Sequence, residues 1–320
     1  MLERCSYTFK HKLPNEDWAE INIPADAMGN GRGVPELMNS GVVIHNPKLF
    51  TEYMNEQIGE FNRVPGQRRS IKYEQCGWKG RDYLYGTVLY KSDGSALKVV
   101  TNDEIASRTK LGLGPVLDGD ARKWVSITNQ LFPFDHYCAW LNIGFSFGSM
   151  FMPWHSRSEG GVLISNFTPE SGRGKTRIAQ VCAAIWGHWN ALSIKDYDTA
   201  ASQGLILAAL CNIPGFVDEL AHFARHVQFG IIHLREFIDK FAAGHDKHRA
   251  LQHGMGIRHQ LGSWQIILIT TSNQSIIDMV DVSGGAIPGG NASSNRILEL
   301  DATPPRTFDP LLGDQLEPHI

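Results

Sequence analysis

Hydrophobic and polar positions alternate along this chain in two different ways. Up to about residue 150 the apolar stretches are short and broken by turns. Gly41–His45 (GVVIH) reads as an apolar strand. Pro47–Phe61 carries apolar residues at Leu49, Phe50, Tyr53, Met54, Ile58 and Phe61, a helical spacing that opens on a proline. Asp82–Tyr90 and Leu97–Thr101 read as strands flanking the turn KSDGS. Leu111–Asp120 is a glycine-rich loop, and the apolar stretch Pro133–Trp154 predicts a buried helix.

From about residue 160 the rhythm becomes strand, loop, helix. GVLISNF predicts a strand, PESGRGKT a loop, and RIAQVCAAIW a helix stopped by Gly187 in the C′ position. FVDEL (Phe216–Leu220) and WQIILITTSN (Trp264–Asn273) each read as a strand with polar residues at its end. Pro214 and Gly215 shorten the first of them. A parallel sheet with ligand chemistry at its carboxyl ends follows. The predicted domains are an α+β domain over 1–155, an α/β domain over 156–302, and a proline-rich tail or linker over 303–320.

Composition narrows the classes. The chain has 320 residues, 42% hydrophobic and 20% charged, an ordinary globular balance, with a net charge of −3. A uniformly basic nucleic-acid binder is excluded, although local patches are not. The cysteines are dispersed and none lies at C-x-x-C spacing, which suits a reducing cytoplasm. The polar opening MLERCSYTFKHK is not a secretion signal, and no apolar run reaches the roughly 18 residues of a membrane span, so no membrane partner is expected.

The candidate chemistry centres on Thr168–Thr176, TPESGRGKT. It ends like a phosphate-binding loop, G-x-x-x-x-G-K-[ST], but Pro169 stands where the first glycine belongs. Gly172 and Gly174 let the backbone curl, Lys175 would reach phosphate oxygens, and Thr176 would ligate Mg²⁺. The phosphate-binding set is then Glu170, Ser171, Gly172, Arg173, Gly174, Lys175, Thr176 and Arg177. A glycine-rich turn with a solvent-exposed lysine would have the same text. Two later features favour the loop: Asp218, with Glu219 beside it, would hold Mg²⁺ and polarise water, and Asn273 ends a buried strand where it could meet a γ-phosphate. An acidic strand end and a simple strand-end turn are the plain alternatives.

Taken together, TPESGRGKT, AAIWG, KDYDTAAS, NIPGFVDEL, AAGHDKHR, SWQIILITTSNQSIID and NRILELD, with CGWKGRDYLYG upstream, give the chain a family likeness. It resembles the helicase-like P-loop ATPase module of bacteriophage and prophage DNA replication proteins, of primase–helicase type. The resemblance implies an AAA+ or superfamily-3-like parallel sheet with helices on both faces, ATP and Mg²⁺ as cofactors, and DNA, single-stranded or duplex, as partner. It also implies a homo-oligomeric ring, a hexamer by preference, and coupling to a primase or polymerase. Site residues carried over are Lys175, Thr176, Asp218, Glu219 and Asn273. Either Arg249 (beside Lys247) or Arg296 would supply the arginine that completes a neighbour's site, and the sequence does not choose between them. A packaging motor, a replication-initiation regulator and a non-hydrolysing nucleotide-binding scaffold are the rival functions.

Two further patterns carry less. His245, His248, His253 and His259 cluster without the cysteine or carboxylate company of a metal site. Arg63–Arg81 holds six basic residues and one acidic one, with Tyr73 and Trp78 interleaved; it fits a nucleic-acid backbone or a solvated surface equally.

Overall fold

A computed structural model describes residues 6–12, 18–24, 27–28, 31–63, 72–114, 120–154, 160–224, 230–245, 262–282 and 295–303. The chain separates into two compact units, Met1–Tyr73 and Glu74–Ile320.

In the first unit an antiparallel pair, β1 (Ser6–Lys12) and β2 (Trp18–Pro24), precedes the helices α1 (Val34–Asn39) and α2 (Pro47–Arg63). The expected strand Gly41–His45 is not one. Gly41 adopts φ = +100° and the Val42 N–H bonds back to Leu37 O at 3.0 Å, which closes the end of α1. The apolar residues there serve a helix cap: Ile44 joins the core while Val43 is exposed. Helix α2 starts where expected, with Asn46 Oδ1 accepting from the Leu49 N–H at 3.1 Å. Its core stripe is narrower than its apolar content. Phe50, Met54 and Ile58, spaced four apart, pack on Ile23, Met28, Val34 and Leu37, whereas Leu49 and Tyr53 face outward.

The second unit opens on a four-stranded antiparallel meander: β3 (Gly77–Lys79), β4 (Asp82–Tyr85), β5 (Val88–Tyr90) and β6 (Ala96–Lys98). The single strand expected over Asp82–Tyr90 is a hairpin, because Gly86 turns the chain at φ = +58° and Tyr83 pairs back onto Tyr90. The KSDGS turn forms as expected, with Lys91 N–H to Ser95 O at 2.8 Å. Helices α3 (Asp103–Lys110) and α4 (Ala121–Leu131) follow, capped by Asn102 and Asp120. The stretch Pro133–Trp154 is shorter as a helix than its apolarity suggests. Here α5 spans Tyr137–Gly148, capped by His136, and ends in a 3-10 turn over Ser149–Trp154 that contains Pro153.

The parallel sheet comprises β7 (Val162–Phe167), β8 (Gly215–Val217), β9 (Ile267–Ser272) and β10 (Ile297–Asp301), in the order β8-β9-β7-β10. Helices α6 (Lys175–Ala184), α7 (Trp189–Leu192), α8 (Ala200–Leu210), α9 (Gly230–Ala243) and α10 (Ile276–Val282) come from its connections. After β7 the chain goes to one side of that strand, to β8 and β9, then crosses to β10 on the other side. This reversal is the topological switch at which open α/β sheets bind ligands. Strand β9 is buried along its whole length. That is why ILITTS contains no alternation and still makes a strand.

One hydrophobic core runs under both sheets of this unit, from Cys76, Tyr83 and Ile105 to Leu163, Ile164, Phe216 and Leu268. Polar clasps fix their relation. The Asn212 side chain accepts from the Trp78 N–H at 3.2 Å and donates to Gln265 O at 3.0 Å. Gly77 stands at φ = +83° with no room for a Cβ, which would lie 2.3 Å from Asn212 Oδ1. Across the parallel sheet, Asn142 of α5 and Asn166 of β7 exchange carboxamide hydrogen bonds of 2.7 and 3.0 Å, and Asn166 Nδ2 also donates to Thr270 O at 3.0 Å. Both asparagines are fully buried, so these bonds replace water that cannot enter.

Candidate functional site

The loop 168–174 joins the carboxyl end of β7 to α6. Gly172 and Gly174 take φ = +75° and +86°, left-handed values that let the chain curl back before the helix begins. Space around Gly172 is open, with no atom within 4 Å of a built Cβ. Gly174 is the N-cap of α6 and offers no side chain, so no side-chain cap occupies the first-turn N–H groups.

Lys175 is drawn under the loop and is 7% exposed. Its ammonium donates to Thr168 O at 2.9 Å, Glu170 O at 3.1 Å and Asn273 Oδ1 at 2.7 Å. All three acceptors are neutral. Burial pulls the Lys175 pKa below the ordinary lysine value, partly offset by the nearby charges of Glu219 and Asp218. A buried cation on neutral acceptors, beside uncapped helix N–H groups, suits an anion.

Thr176, Asp218, Glu219 and Asn273 converge on the same end of the sheet. Thr176 Oγ1 donates to Asp218 Oδ1 at 3.1 Å. Asn273 follows β9 and holds Glu219 twice, from its backbone N–H to Oε1 at 3.1 Å and from Nδ2 to Oε2 at 2.7 Å. Glu219 has φ = +53°, a left-handed conformation that costs a non-glycine residue roughly 1–2 kcal/mol. Hydroxyl and carboxylate oxygens next to each other form a hard donor set of the kind Mg²⁺ takes.

The remaining sequence candidates lie around this centre or away from it. Glu170 and Arg173 pair with each other on the exposed loop. Ser171 is exposed, and Arg177 Nη1 donates to Gln180 Oε1 at 3.0 Å along α6. Arg296 lies at the amino end of β10, the opposite end of the sheet from the loop, and pairs with Asp239 of α9. Within one chain it is therefore not brought to the cluster. Arg249, Lys247, His248, His253 and His259 fall outside the described residues. Among the described residues no three His, Cys, Asp or Glu side chains are grouped to hold a metal, and no helix is long and apolar enough to cross a membrane.

Thr271 belongs to the cluster although its sequence context did not single it out. Its hydroxyl donates to Asp218 Oδ1 at 2.8 Å and accepts from the Glu219 N–H at 2.9 Å. The available signal was three consecutive hydroxyl residues, Thr270–Ser272, in an otherwise apolar strand.

Residues 3–260 match a protein family described as "Domain of unknown function (DUF927)". The chain belongs to this family. The DUF927 match covers β7, the glycine loop, α6 and the Asp218–Glu219 pair, and stops before β9. No curated protein matches the chain by sequence. Among solved structures, one titled "SCCmec type IV Cch - active helicase" superposes with a TM-score of 0.56 at 15% identity, covering 98% of this chain and 57% of that one. A second, the apo C-terminal region of NrS-1, gives a TM-score of 0.37 at 10% identity over 97% of this chain and 60% of that one. This DUF927 chain thus shares the fold of the first neighbour, a helicase, and spans 57% of its length.

Proposed function

We propose that this DUF927 chain is a P-loop ATPase whose hydrolysis of Mg-ATP drives movement on, or unwinding of, DNA. The observation that carries the reading is the convergence of Lys175, Thr176, Asp218, Glu219 and Asn273 at the carboxyl ends of three adjacent parallel strands. In this reading the module of 156–302 carries the chemistry. The loop N–H groups and Lys175 bind the phosphates, and Gly172 and Gly174 supply the curl that the proline at 169 would otherwise prevent. Thr176 and Asp218 hold Mg²⁺, which when bound offsets the charge developing on the transferred phosphoryl oxygens. Glu219 accepts the proton of the attacking water, and Asn273 orients Glu219 against the γ-phosphate.

The ring, the arginine from a neighbouring copy (Arg249 or Arg296), a primase or polymerase partner, and a cytoplasmic phage-replication setting belong to the same proposal. They are supported by the sequence resemblance. The exposed position of Arg296, at the opposite end of the sheet from its own loop, is compatible with service to another subunit rather than its own.

The test is the steady-state ATP hydrolysis rate of the purified chain, with and without single-stranded DNA. Hydrolysis stimulated several-fold by DNA and abolished by Lys175→Ala is the expected result. A Lys175→Ala protein that hydrolyses ATP at the wild-type rate would sink the assignment. Hydrolysis indifferent to DNA would point to a motor acting on another partner, and nucleotide binding without hydrolysis in any oligomeric state would point to a scaffold.

A further inference from the structure

Strands β8 and β9 pair only over three rungs, Gly215↔Leu268 to Val217↔Thr270. The next rung would set Asp218 against Thr271, but the ladder stops there. The chain leaves the strand direction right after Val217 and turns at Glu219 with φ = +53°. Both acidic residues of the site therefore lie beyond the regular hydrogen bonding of the sheet.

The Thr271 side chain takes over from the ladder. A hydroxyl has one hydrogen to give and two lone pairs to receive with. Here it receives the Glu219 N–H at 2.9 Å and gives its own hydrogen to Asp218 Oδ1 at 2.8 Å. Thr271 is 1% exposed, so water has no access to stand in for it. Its β-branched side chain is stiff about χ1, and the strand beneath it is buried throughout. Asp218 Oδ1 thus sits between two hydroxyls, Thr271 on β9 and Thr176 on α6.

We infer that Thr271 is a positioning residue that places the Asp218 carboxylate for Mg²⁺ and the Glu219 backbone for water activation at once. The inference rests on the ATPase reading above and names the residue on which both acidic groups depend. Its hydroxyl acts through Asp218 Oδ1 and the Glu219 N–H.

The experiment compares wild type, Thr271→Val, which keeps the shape and removes the hydroxyl, and Thr271→Ser, which keeps the hydroxyl. A fluorescent ATP analogue is titrated at increasing Mg²⁺, turnover is measured in parallel, and a thermal melt reports folding. Thr271→Val should bind the analogue without Mg²⁺ as wild type does. It should need about tenfold more Mg²⁺ to reach its tight-binding form and turn over at least tenfold more slowly at saturating Mg²⁺, the scale of losing a hydrogen bond to a charged group. Thr271→Ser should stay within about threefold of wild type on both counts. A folded Thr271→Val with wild-type Mg²⁺ dependence and turnover overturns the inference and leaves the ATPase reading intact. Should Thr271→Val not fold, Thr271→Cys, a weaker donor, must fall between wild type and loss, and a Cys variant equal to wild type overturns the inference. Wild-type protein that neither binds nor hydrolyses ATP overturns both.

Discussion

Asn273 clasps Glu219 at both carboxylate oxygens, through its backbone N–H and its side-chain Nδ2, while its Oδ1 accepts from Lys175 at 2.7 Å. One amide thus couples the site's cation to its prospective base. Replacing Asn273 by Asp swaps the donor facing Glu219 for a carboxyl. Two carboxylates that close repel, and the donor that holds Glu219 Oε2 is lost. The kcat for ATP hydrolysis should fall on the order of tenfold or more in both Asn273→Asp and Asn273→Ala. A kcat at the wild-type level in both variants would remove Asn273 from the mechanism.

Lys175 gives the site a pH dependence. Burial lowers its pKa in the free protein. An anion bound against it favours the charged form and raises that pKa again. Nucleotide binding is therefore coupled to proton uptake, and affinity should weaken as pH rises through the lowered Lys175 pKa, before an ordinary lysine would deprotonate. Titrating a fluorescent ATP analogue from neutral to alkaline pH checks this. In Lys175→Arg the guanidinium keeps its charge, and the alkaline weakening should disappear.

The glycines of the chain divide by backbone conformation. Gly174 has φ = +86° at the start of α6, so Gly174→Ala should cost about 1–2 kcal/mol locally and weaken nucleotide binding markedly. Gly59, by contrast, lies within α2 with open space around it, and Gly59→Ala should stabilise the protein by roughly 0.5–1 kcal/mol. Thermal melts of the two variants and a binding titration of the first decide both points.

The Asn142–Asn166 exchange anchors the strand that feeds the loop. Asn166→Leu strands a buried carboxamide on α5 and should destabilise by about 2–4 kcal/mol, more than one ordinary hydrogen bond contributes. The double variant Asn142→Leu/Asn166→Leu should recover part of that loss, because the Asn142 carboxamide is no longer buried against an apolar partner, although Thr270 O still loses its donor. Denaturant unfolding of the single and double variants measures the coupling. A double variant that loses the sum of both single effects would mean that the pair does not act as a unit.

What the sequence determined by itself was local and periodic. The α2 stripe, the KSDGS turn, the strand–loop–helix around TPESGRGKT and the short strand after Pro214 follow from side-chain spacing and from proline and glycine chemistry. These preferences act over a few residues and survive in the fold. The errors arose where apolar composition had more than one use. Gly41–His45 closes a helix instead of forming a strand, because Gly41 can take a left-handed turn and Val42 reaches back to Leu37. Asp82–Tyr90 folds on itself for the same reason at Gly86.

Only the tertiary structure decided the strand order, and with it the company each polar residue keeps. Lys175 and Asn273 are 98 residues apart in sequence and share a hydrogen bond. Thr271 looks like one more strand residue until the ladder beside it ends at Val217, and its hydroxyl is then the group within reach of both Asp218 and Glu219. The physical reason is that a buried polar group must find a partner wherever the packing puts one. Spacing along the chain identifies which groups need partners. The register of neighbouring strands selects which partners they find.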